Sequence, residues 1–379
     1  MKEKFIYFLF LFFFSSIVTF AQHRVRDYGI QIGVFNTGKY NAITDVSGVS
    51  VGHLTKIEGD DIRTGVTAII PHQANIFRNK VPAAVYIGNG FGKLAGISQI
   101  MELGNIETPI ILTNTMSIAP ALDALITYTL MQKGNEGVVS VNGVVGETND
   151  SELNNIRARK ISSQDVLSAI NNAKTGPVEE GCVGAGTGTV CFGFKGGIGT
   201  SSRVLPATLG GYTVGVIVQS NYGGNLVVDG FKAGEFFEKY PYRKDILQDV
   251  DGSCMIVVIT DAPITSRNLE RLAKRAIMGL AKTGGIASNG SGDYVIAMSV
   301  APQNLVNELQ PFYTPEELQN DAMSPLFMAT IEATEEALLN SLFTAKSTRG
   351  FNGREVPRLP VEQIIKYSRR QLDTTKENY

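Results

Sequence analysis

The stretch DGSCMIVVIT, residues 251–260, carries the clearest fold signal in the chain. From Cys254 to Ile259 it is unbroken in apolar residues, most of them β-branched, which predicts a strand buried on both faces. Ser253 stands at the head of this strand, directly after the pair Asp251-Gly252. Asp-Gly pairs are common in turns, so turn chemistry alone accounts for the serine. Taken by itself, the stretch therefore predicts a buried strand that follows a turn.

Elements of both types surround this strand in the sequence. Short β-branched runs predict further strands at 49–54, 66–70, 83–87, 138–141, 213–218 and 294–300. Apolar residues at helical spacing predict helices at 121–132, 163–173, 267–282 and 326–342. Because strands and helices mix without strict alternation, the sequence predicts an α/β protein of the α+β type with layered packing.

Two segments are predicted to be irregular. Residues 235–251 carry eight charged residues and a proline, which predicts an exposed connection into the central strand. The glycine-rich run 184–203 has Thr189 where a dinucleotide motif needs its third glycine, and it contains no GxxxxGK[ST] P-loop. We therefore predict a mobile or tightly turned loop over this run, lining a cleft.

Length and charge narrow the classes of partner. The chain has 379 residues, of which 34 are Lys or Arg and 36 are Asp or Glu, without a basic stripe. Nucleic-acid binding needs clustered basic residues that contact phosphates, so we expect no nucleic-acid partner. The length alone allows one large domain or two to three of average size. Residues 22–379 are expected to form a single domain.

The N-terminus has the pattern of a secretory signal peptide. Lys2 and Lys4 precede an almost wholly apolar run at 5–20, and Thr19-Phe20-Ala21 supplies small residues at the −3 and −1 positions. This pattern predicts removal of residues 1–21 and export, either to the periplasm or out of the cell. An uncleaved membrane anchor is the alternative, because the run approaches the length of a bilayer span. After cleavage no stable membrane span is expected.

Cysteine and histidine are too few for most metal sites. The odd number of cysteines leaves at least one free thiol, and we expect small buried residues, with a Cys182–Cys191 disulfide left open beside Cys254. The three histidines show no ligand spacing, so neither a metal nor a cofactor is expected. Their contexts are not typical of a Ser-His-Asp triad, and we interpret His53 and His72 as structural.

Seven runs of sequence, taken together and in chain order, are more informative about the protein's family than any one of them alone. They are ITDVSGVSVGHLT from Ile43, RTGVTAIIP from Arg63, GNGFGKLAG from Gly88, GCVGAGTGTVCFGFKGGIGTSSR from Gly181, VQSNYGG from Val218, DGSCMIVVITDAPI from Asp251 and SNGSGDYVIA from Ser288. As a set, which spans about residues 30–354, they resemble the D-aminopeptidase / L-aminopeptidase D-esterase family, which includes the β-peptidyl aminopeptidases.

This resemblance implies a fold and an activity. Members of the family fold as a four-layer αββα sandwich similar to that of the N-terminal-nucleophile hydrolases, and they assemble as homo-oligomers, typically tetramers. Each is made as one chain that cuts itself before a serine. They release N-terminal L-, D- or β-amino acids from short peptides, amides or esters. The expected substrate is therefore a short peptide or an aminoacyl amide.

The resemblance also implies a set of site residues. Cleavage between Gly252 and Ser253 would separate residues 22–252 from 253–379 and make Ser253 the nucleophile. Three further positions match the family's catalytic groups and one matches its substrate-amine acid: Asn221 for the oxyanion, Ser291, Asp293, and Glu147 for the amine. One position departs, because Asn149 stands where some relatives carry tyrosine. Selectivity near the substrate amine is accordingly left open.

These residue types suit the chemistry without histidine. A serine hydroxyl needs a base, and the α-amine freed on Ser253 has a reference pKa near 7.7–8.0. Either that amine or Ser291 held by Asp293 could take the proton, and the sequence does not decide between them. Cys254 is a rival nucleophile, but adjacent strand residues face opposite sides, so it is expected to point into the core.

Two other functions are kept as alternatives. Ornithine acetyltransferases share the general fold and the self-cleavage but use threonine, so an aminoacyl or acetyl transferase is less consistent with Ser253. An exported binding protein that keeps the fold without being cut is the other. The combination of Gly252-Ser253 with Asn221 and Ser291 argues against it.

Overall fold

The computed structural model describes residues 23–242 and 252–367. Its strands, in chain order, are β1 (Ser50–Glu58), β2 (Ile62–Ile70), β3 (Asn79–Gly90), β4 (Leu94–Ala95), β5 (Asn105–Ile106), β6 (Ile110–Asn114), β7 (Val144–Thr148), β8 (Val190–Cys191), β9 (Phe194–Lys195), β10 (Gly197–Val204), β11 (Thr213–Asn221), β12 (Gly252–Thr260), β13 (Ser291–Ser299), β14 (Val306–Asn307), β15 (Thr348–Arg349) and β16 (Glu355–Val356). Its α-helices are α1 (Ile97–Leu103), α2 (Ile118–Leu130), α3 (Ser163–Asn171), α4 (Ala233–Phe236), α5 (Ser266–Lys282) and α6 (Ser324–Phe343).

Two large sheets organise the described residues. The first has the order β1-β2-β6-β7-β4 and the second the order β10-β11-β12-β13-β3-β14. Strand β12, which the sequence marks most clearly, is central in the second sheet. It runs antiparallel to β11 and parallel to β13. Two adjacent parallel strands need a crossover, and helix α5 supplies it between β12 and β13.

The layers follow from the apolar faces of these sheets. Met255 and Val257 of β12 face the first sheet and share a core with Leu112 and Val145. The alternate residues Cys254, Ile256 and Val258 face the other way and share a core with residues of α5 and α6. Helices α2 and α3 cover the outer face of the first sheet. The result is the expected four-layer αββα sandwich.

A buried glutamine links the two sheets beneath one end of the sandwich. The amide nitrogen of Gln219, in β11, donates to the carbonyls of Thr113 and Ala185 at 3.1 and 2.9 Å and to the hydroxyl of Thr148 at 2.8 Å. Strands β6, β7 and β11 are thereby held in one arrangement. The side chains that follow them at this end are positioned by the same contacts.

Most predicted elements are confirmed, and two predictions are wrong. Residues 138–141 form no strand, because no neighbouring strand pairs with them in the described chain, and Val139 is 98% exposed. The loop predicted over 184–203 contains the short hairpin of β8 and β9 and most of β10. A side chain at Gly199 would collide with the carbonyl of Ala337 in α6, so this glycine marks a close helix contact rather than a loop.

Other expectations fall partly outside the described residues. The predicted signal peptide, 1–21, lies outside them, and so do 243–251 of the polar connection. Residues 235–242 of that connection are half-buried or exposed. Within the described ranges, none of the helices combines the length and apolarity needed to cross a bilayer. The cysteines are all free thiols, so the disulfide between Cys182 and Cys191 is not formed.

Candidate active site

A cleft of about 710 Å³ opens where β7, β11 and β12 meet. Its walls include Phe91, Lys93, Thr115, Glu147, Asn149, Val190, Phe192, Asn221, Tyr222, Lys239, Gly252 and Ser253. Ser253, Asn221 and Glu147, which the sequence predicts to act together, therefore share one cleft.

Ser253 faces this cleft from the start of β12. Its side chain is on the face that Met255 and Val257 continue into the inter-sheet core, and it is 6% exposed. The hydroxyl donates to the carbonyl oxygen of Gly252 at 2.6 Å. The predicted nucleophile thus lies against the peptide bond that is predicted to be cut.

Cys254 lies on the opposite face of the same strand, as strand alternation predicts. It is fully buried, and burial raises the pKa of its thiol well above the ordinary value, with the Asp293 carboxyl adding to the shift. A thiol is a nucleophile only as the thiolate, so this one is inert near neutral pH. Ser253 and Cys254, the two rival nucleophiles, therefore lie on opposite faces of the sheet, and only Ser253 faces the cleft.

Asn221 lies directly opposite Ser253 in the antiparallel pair of β11 and β12. Residues directly opposite in such a pair project from the same face, so both side chains reach the cleft. The Asn221 Oδ1 accepts a hydrogen bond from the backbone N–H of Val190 at 2.9 Å. With its oxygen held in this way, the carboxamide presents its NH2 group to the cleft as a donor.

Ser291 and Asp293 approach the same bond from β13. The parallel register aligns Ser291 with Gly252, and Asp293 with Cys254. By strand alternation both side chains project toward the helix layer, away from the Ser253 hydroxyl. Both are buried, and neither side chain has a hydrogen-bond partner of good geometry within the described chain.

The electrostatics of Asp293 follow from this burial. Burial raises the pKa of the Asp293 carboxyl to about 6, although the Ser291 hydroxyl and the Cys254 backbone N–H lie near enough to lower it. A carboxyl with this pKa changes charge close to neutral pH, which is typical of functional sites.

Gly292, between these two residues, lies beside Ser253 in the parallel register of β12 and β13. A Cβ at this position would collide with the carbonyl oxygen of Phe91 and would approach the Ser253 hydroxyl to 3.4 Å. Only glycine leaves this space free, so the second glycine of the Gly-Ser-Gly run has a steric reason that the sequence alone does not reveal.

Glu147 forms the other polar wall of the cleft, from β7. Its side chain is 3% exposed and accepts hydrogen bonds from the Thr115 hydroxyl and, at 3.0 Å, from the backbone N–H of Lys93. The Lys93 ammonium lies 3.7 Å from the same carboxylate. The sequence did not identify Thr115 and Lys93. Lys93 lies in the GNGFGKLAG run, whereas Thr115 is found only through the register of β6 with β7.

Asn149 lies at the cleft, whereas His53 and His72 lie away from it. Asn149 lines the cleft and its Oδ1 accepts the Ser151 N–H at 3.0 Å. His53 bonds to the Thr67 hydroxyl at 2.9 Å, and burial lowers the pKa of its ring to about 4. His72 bonds to the carbonyl of Asn79. Neither histidine lines the cleft.

Comparison with known proteins gives a consistent assignment. The model of peptidase family S58 matches residues 41–356. Beta-peptidyl aminopeptidase BapA of Sphingosinicella microcystinivorans is 38% identical over 371 residues, which cover 92% of this chain and 93% of that protein. A solved Burkholderia sp. beta-aminopeptidase is 39% identical with a TM-score of 0.84, covering 92% of this chain and 99% of that one.

A third relative is informative about the fold. The solved L-aminopeptidase D-Ala-esterase/amidase of Ochrobactrum anthropi is 34% identical with a TM-score of 0.83, covering 90% of this chain and 96% of that one. It is described as a prototype for the serine aminopeptidases and as a new variant among the Ntn hydrolase fold.

Fold and comparisons together define a serine aminopeptidase built on a variant of the N-terminal-nucleophile hydrolase fold. The chain belongs to peptidase family S58. Membership favours peptide hydrolysis over the acyltransferase alternative.

Proposed function

We propose that the chain cuts itself between Gly252 and Ser253, and that the freed Ser253 is the nucleophile of an exported aminopeptidase. The observation that carries this proposal is the pairing of Ser253 with Asn221 on the cleft face, with the Ser253 hydroxyl 2.6 Å from the Gly252 carbonyl oxygen. Attack of Oγ on the Gly252 carbonyl carbon breaks the C–N bond and leaves an ester, which water hydrolyses. The products are a carboxylate on Gly252 and a free amine on Ser253.

The freed α-amine supplies the base that the cleft otherwise lacks. With a reference pKa near 7.7–8.0 it is partly neutral at physiological pH, and it is bonded to the same Cα as the nucleophilic side chain. The NH2 group of Asn221 would donate to the oxyanion that forms on the substrate carbonyl. Loss of one such donor costs about 3–4 kcal/mol in other hydrolases.

The buried pair of Ser291 and Asp293 supports the same role. In the uncut chain both side chains lack a hydrogen-bond partner of good geometry among the described residues, which is costly for buried polar groups. A strand nitrogen lies in the plane of the sheet, so the amine of cut Ser253 can turn toward either face. An ammonium there would satisfy both side chains. Whether Ser291 also relays the proton stays a prediction.

Glu147 is proposed to bind the substrate's N-terminal ammonium. It is a buried carboxylate at the cleft wall, and the Lys93 ammonium lies 3.7 Å from it, as a substrate amine would. A blocked N-terminus would leave this charge without a new partner. The proposal therefore predicts release of N-terminal residues only.

For the substrate we propose peptides and amides with an N-terminal β-amino acid. Two similar relatives at 38% and 39% identity carry this activity in their names. A panel of matched β-alanyl, L-alanyl and D-alanyl amides tests it, because a higher kcat/KM for either α-amino amide would overturn it.

Export and assembly complete the proposal. The basic, apolar and small-residue pattern of 1–21 supports cleavage after Ala21 and a periplasmic or secreted enzyme. The family resemblance supports a tetramer. N-terminal sequencing of the exported protein should begin at Gln22, and native mass spectrometry should show four copies of each fragment. A retained residue 1 or a monomer would contradict the respective part.

One substitution tests the core of the proposal. Ser253→Ala should leave a single uncut chain without turnover, whereas the wild type should give two chains, 22–252 and 253–379, by denaturing electrophoresis. Cys254→Ala is the matched control at the neighbouring position and should be cut and active. Cleavage or turnover of Ser253→Ala at the normal rate would show that the nucleophile is elsewhere.

A further inference from the structure

Lys195 is a buried cation that the proposed mechanism does not use. It ends β9, is 0% exposed, and its Nζ donates to the carbonyls of Gly186 and Gly196, both at 2.8 Å. Burial lowers the pKa of its ammonium group, against smaller opposing effects of the neighbouring Cys182 and Asp150. A buried ammonium is expensive even when hydrogen-bonded. A shorter apolar residue would avoid that cost, so we infer that the ammonium of Lys195 has a specific role.

The two carbonyls that Lys195 bridges close the base of one hairpin. The chain between Gly186 and Gly196 contains β8 and β9, and its residues Val190 and Phe192 line the cleft. Further bonds close the same base: the Thr189 hydroxyl also donates to the Gly186 carbonyl at 3.1 Å, and the Gly196 N–H donates to the Thr189 carbonyl at 3.1 Å. The ammonium therefore joins the two ends of this segment.

The hairpin in turn holds Asn221. The Val190 N–H donates to Asn221 Oδ1 at 2.9 Å, and the Phe192 N–H donates to the carbonyl of Tyr222 at 2.8 Å. Phe192 has φ of 53°, in the left-handed region that is unfavourable outside glycine, so this backbone depends on its surroundings to keep its shape. The orientation of the Asn221 carboxamide thus depends on a backbone that Lys195 braces.

We propose that Lys195 is a positioning residue for catalysis: its ammonium closes the hairpin base, so that the Val190 N–H fixes the Asn221 carboxamide with its NH2 group toward the oxyanion. This inference rests on the proposed role of Asn221. Lys195 touches neither substrate nor Ser253, and it acts through the hairpin. Removing it should lower kcat and leave KM, which reports the amine site at Glu147, nearly unchanged.

The experiment compares Lys195→Met with Lys56→Met, each alone and in the Asn221→Ala background. Lys56 is the control for loss of a lysine that donates to a carbonyl: its Nζ donates to the carbonyl of Lys160 and also pairs with Asp165, and it lies on β1 outside the cleft. Rates are expressed per cut chain, so that an effect on self-cleavage is not counted as an effect on turnover. We expect Lys195→Met to lower kcat roughly 10- to 100-fold, as for small misplacements of catalytic groups, and Lys56→Met to leave it unchanged.

The double variants separate this inference from the proposed function. If Lys195 acts through Asn221, Lys195→Met should lower kcat no further once Asn221 is alanine. An equal loss in both backgrounds, or no loss in either, overturns the inference while Asn221 keeps its role. If Asn221→Ala alone leaves kcat unchanged, the proposed oxyanion role is wrong and the inference falls with it.

A second variant decides the question if Lys195→Met does not fold. Thr189→Val is nearly isosteric and removes one hydrogen bond to the same Gly186 carbonyl without touching the ammonium. It should lower kcat about 3- to 10-fold at unchanged KM, a smaller misplacement of the same group, and should have no effect in the Asn221→Ala background. Unchanged kcat in this variant overturns the proposal.

Discussion

Glu147 and Asp293 are both buried carboxyl groups at the predicted site, but their surroundings differ. Glu147 accepts hydrogen bonds from the Thr115 hydroxyl and the Lys93 N–H, with the Lys93 ammonium 3.7 Å away. Asp293 has no hydrogen-bond partner of good geometry in the described chain, and burial raises its pKa to about 6. One carboxylate is preorganised in the uncut chain, and the other lacks a cation.

This difference matches the order in which partners would arrive. A substrate ammonium binds and leaves at every turnover, so its site must keep its shape when empty, and Glu147 is held in place by the Thr115 hydroxyl and the Lys93 N–H. The α-amine of Ser253 would be freed once and then stay in the site, so Asp293 gains its cationic partner only after the cut, whenever that amine is protonated.

The largest effect is expected for Glu147→Gln. The amide keeps the size of the side chain and one acceptor oxygen, replaces the other oxygen with an NH2 donor, and removes the charge that would pair with the substrate amine. We expect kcat/KM to fall by an amount equivalent to about 3–4 kcal/mol of lost transition-state stabilisation, in the range for removing one partner of a buried charge pair. Steady-state kinetics on an aminoacyl amide measure it.

The control for this variant is Glu270→Gln, which makes the same change in an exposed i,i+4 pair on α5. It should match the wild type. A Glu147→Gln enzyme with wild-type kcat/KM would mean that the substrate amine binds elsewhere and that Glu147 is structural.

The second prediction concerns the stability of the uncut chain. Because the pKa of Asp293 is raised from 3.8 to about 6, its contribution to stability is fully present below about pH 4 and is lost as pH rises through 6. For Ser253→Ala, the free energy of unfolding should therefore fall between pH 4 and 7 relative to Ser253→Ala/Asp293→Asn, by about 2–3 kcal/mol. Guanidinium denaturation of both proteins at several pH values measures the difference.

Two other buried acids need this difference measurement. Burial also raises the pKa of Asp150 to about 6 and that of Glu180 to about 7, but both are common to the two proteins and cancel. In the cut enzyme the new ammonium should lower the pKa of Asp293, so the effect of Asp293→Asn should shrink or reverse. Equal pH dependence in the cut and uncut forms would show that Asp293 does not meet the ammonium.

The smallest effect is expected for Lys93→Met. Its ammonium competes with the substrate amine for Glu147, but the side chain is 56% exposed, and such pairs contribute about 0.2–1 kcal/mol. Removing it should lower KM about twofold at unchanged kcat, and the effect should fade at high salt. A rise in KM would instead mean that Lys93 attracts the substrate.

Local sequence predicted the elements whose residues carry their own signal. Strand β12 and helix α5 were predicted almost to the residue, because one is continuously apolar and the other keeps its apolar residues on one face. Strand β10 was not predicted, because its sequence GIGTSSRV has little strand propensity and the strand is stabilised by contacts with its neighbours. Its Arg203, for example, is fully buried and pairs with Glu332 and Glu336 of α6 at 3.1 and 2.7 Å. Tertiary contacts overrode propensity there.

The site was predicted through resemblance rather than spacing. Nothing local links Asn221 to Ser253, and only the antiparallel register of β11 and β12 makes them face one another. The same register logic puts Asp293 on the helix side, which the Gly-Ser-Gly-Asp run does not reveal. Lys195 was not identified, because it lies in the glycine-rich run 184–203, which was predicted to be a loop.

The strand order has a consequence for the life of the cut enzyme. Strands β12 and β13 belong to the second fragment, and they lie between β11 and β3 of the first. The fragments cannot separate unless the backbone hydrogen bonds between β11 and β12 and between β13 and β3 break. The two fragments of the cut molecule should therefore purify together. Once unfolded, however, its refolding becomes a bimolecular reaction that slows on dilution. After self-cleavage, the lifetime of the active enzyme would therefore depend on how slowly it unfolds.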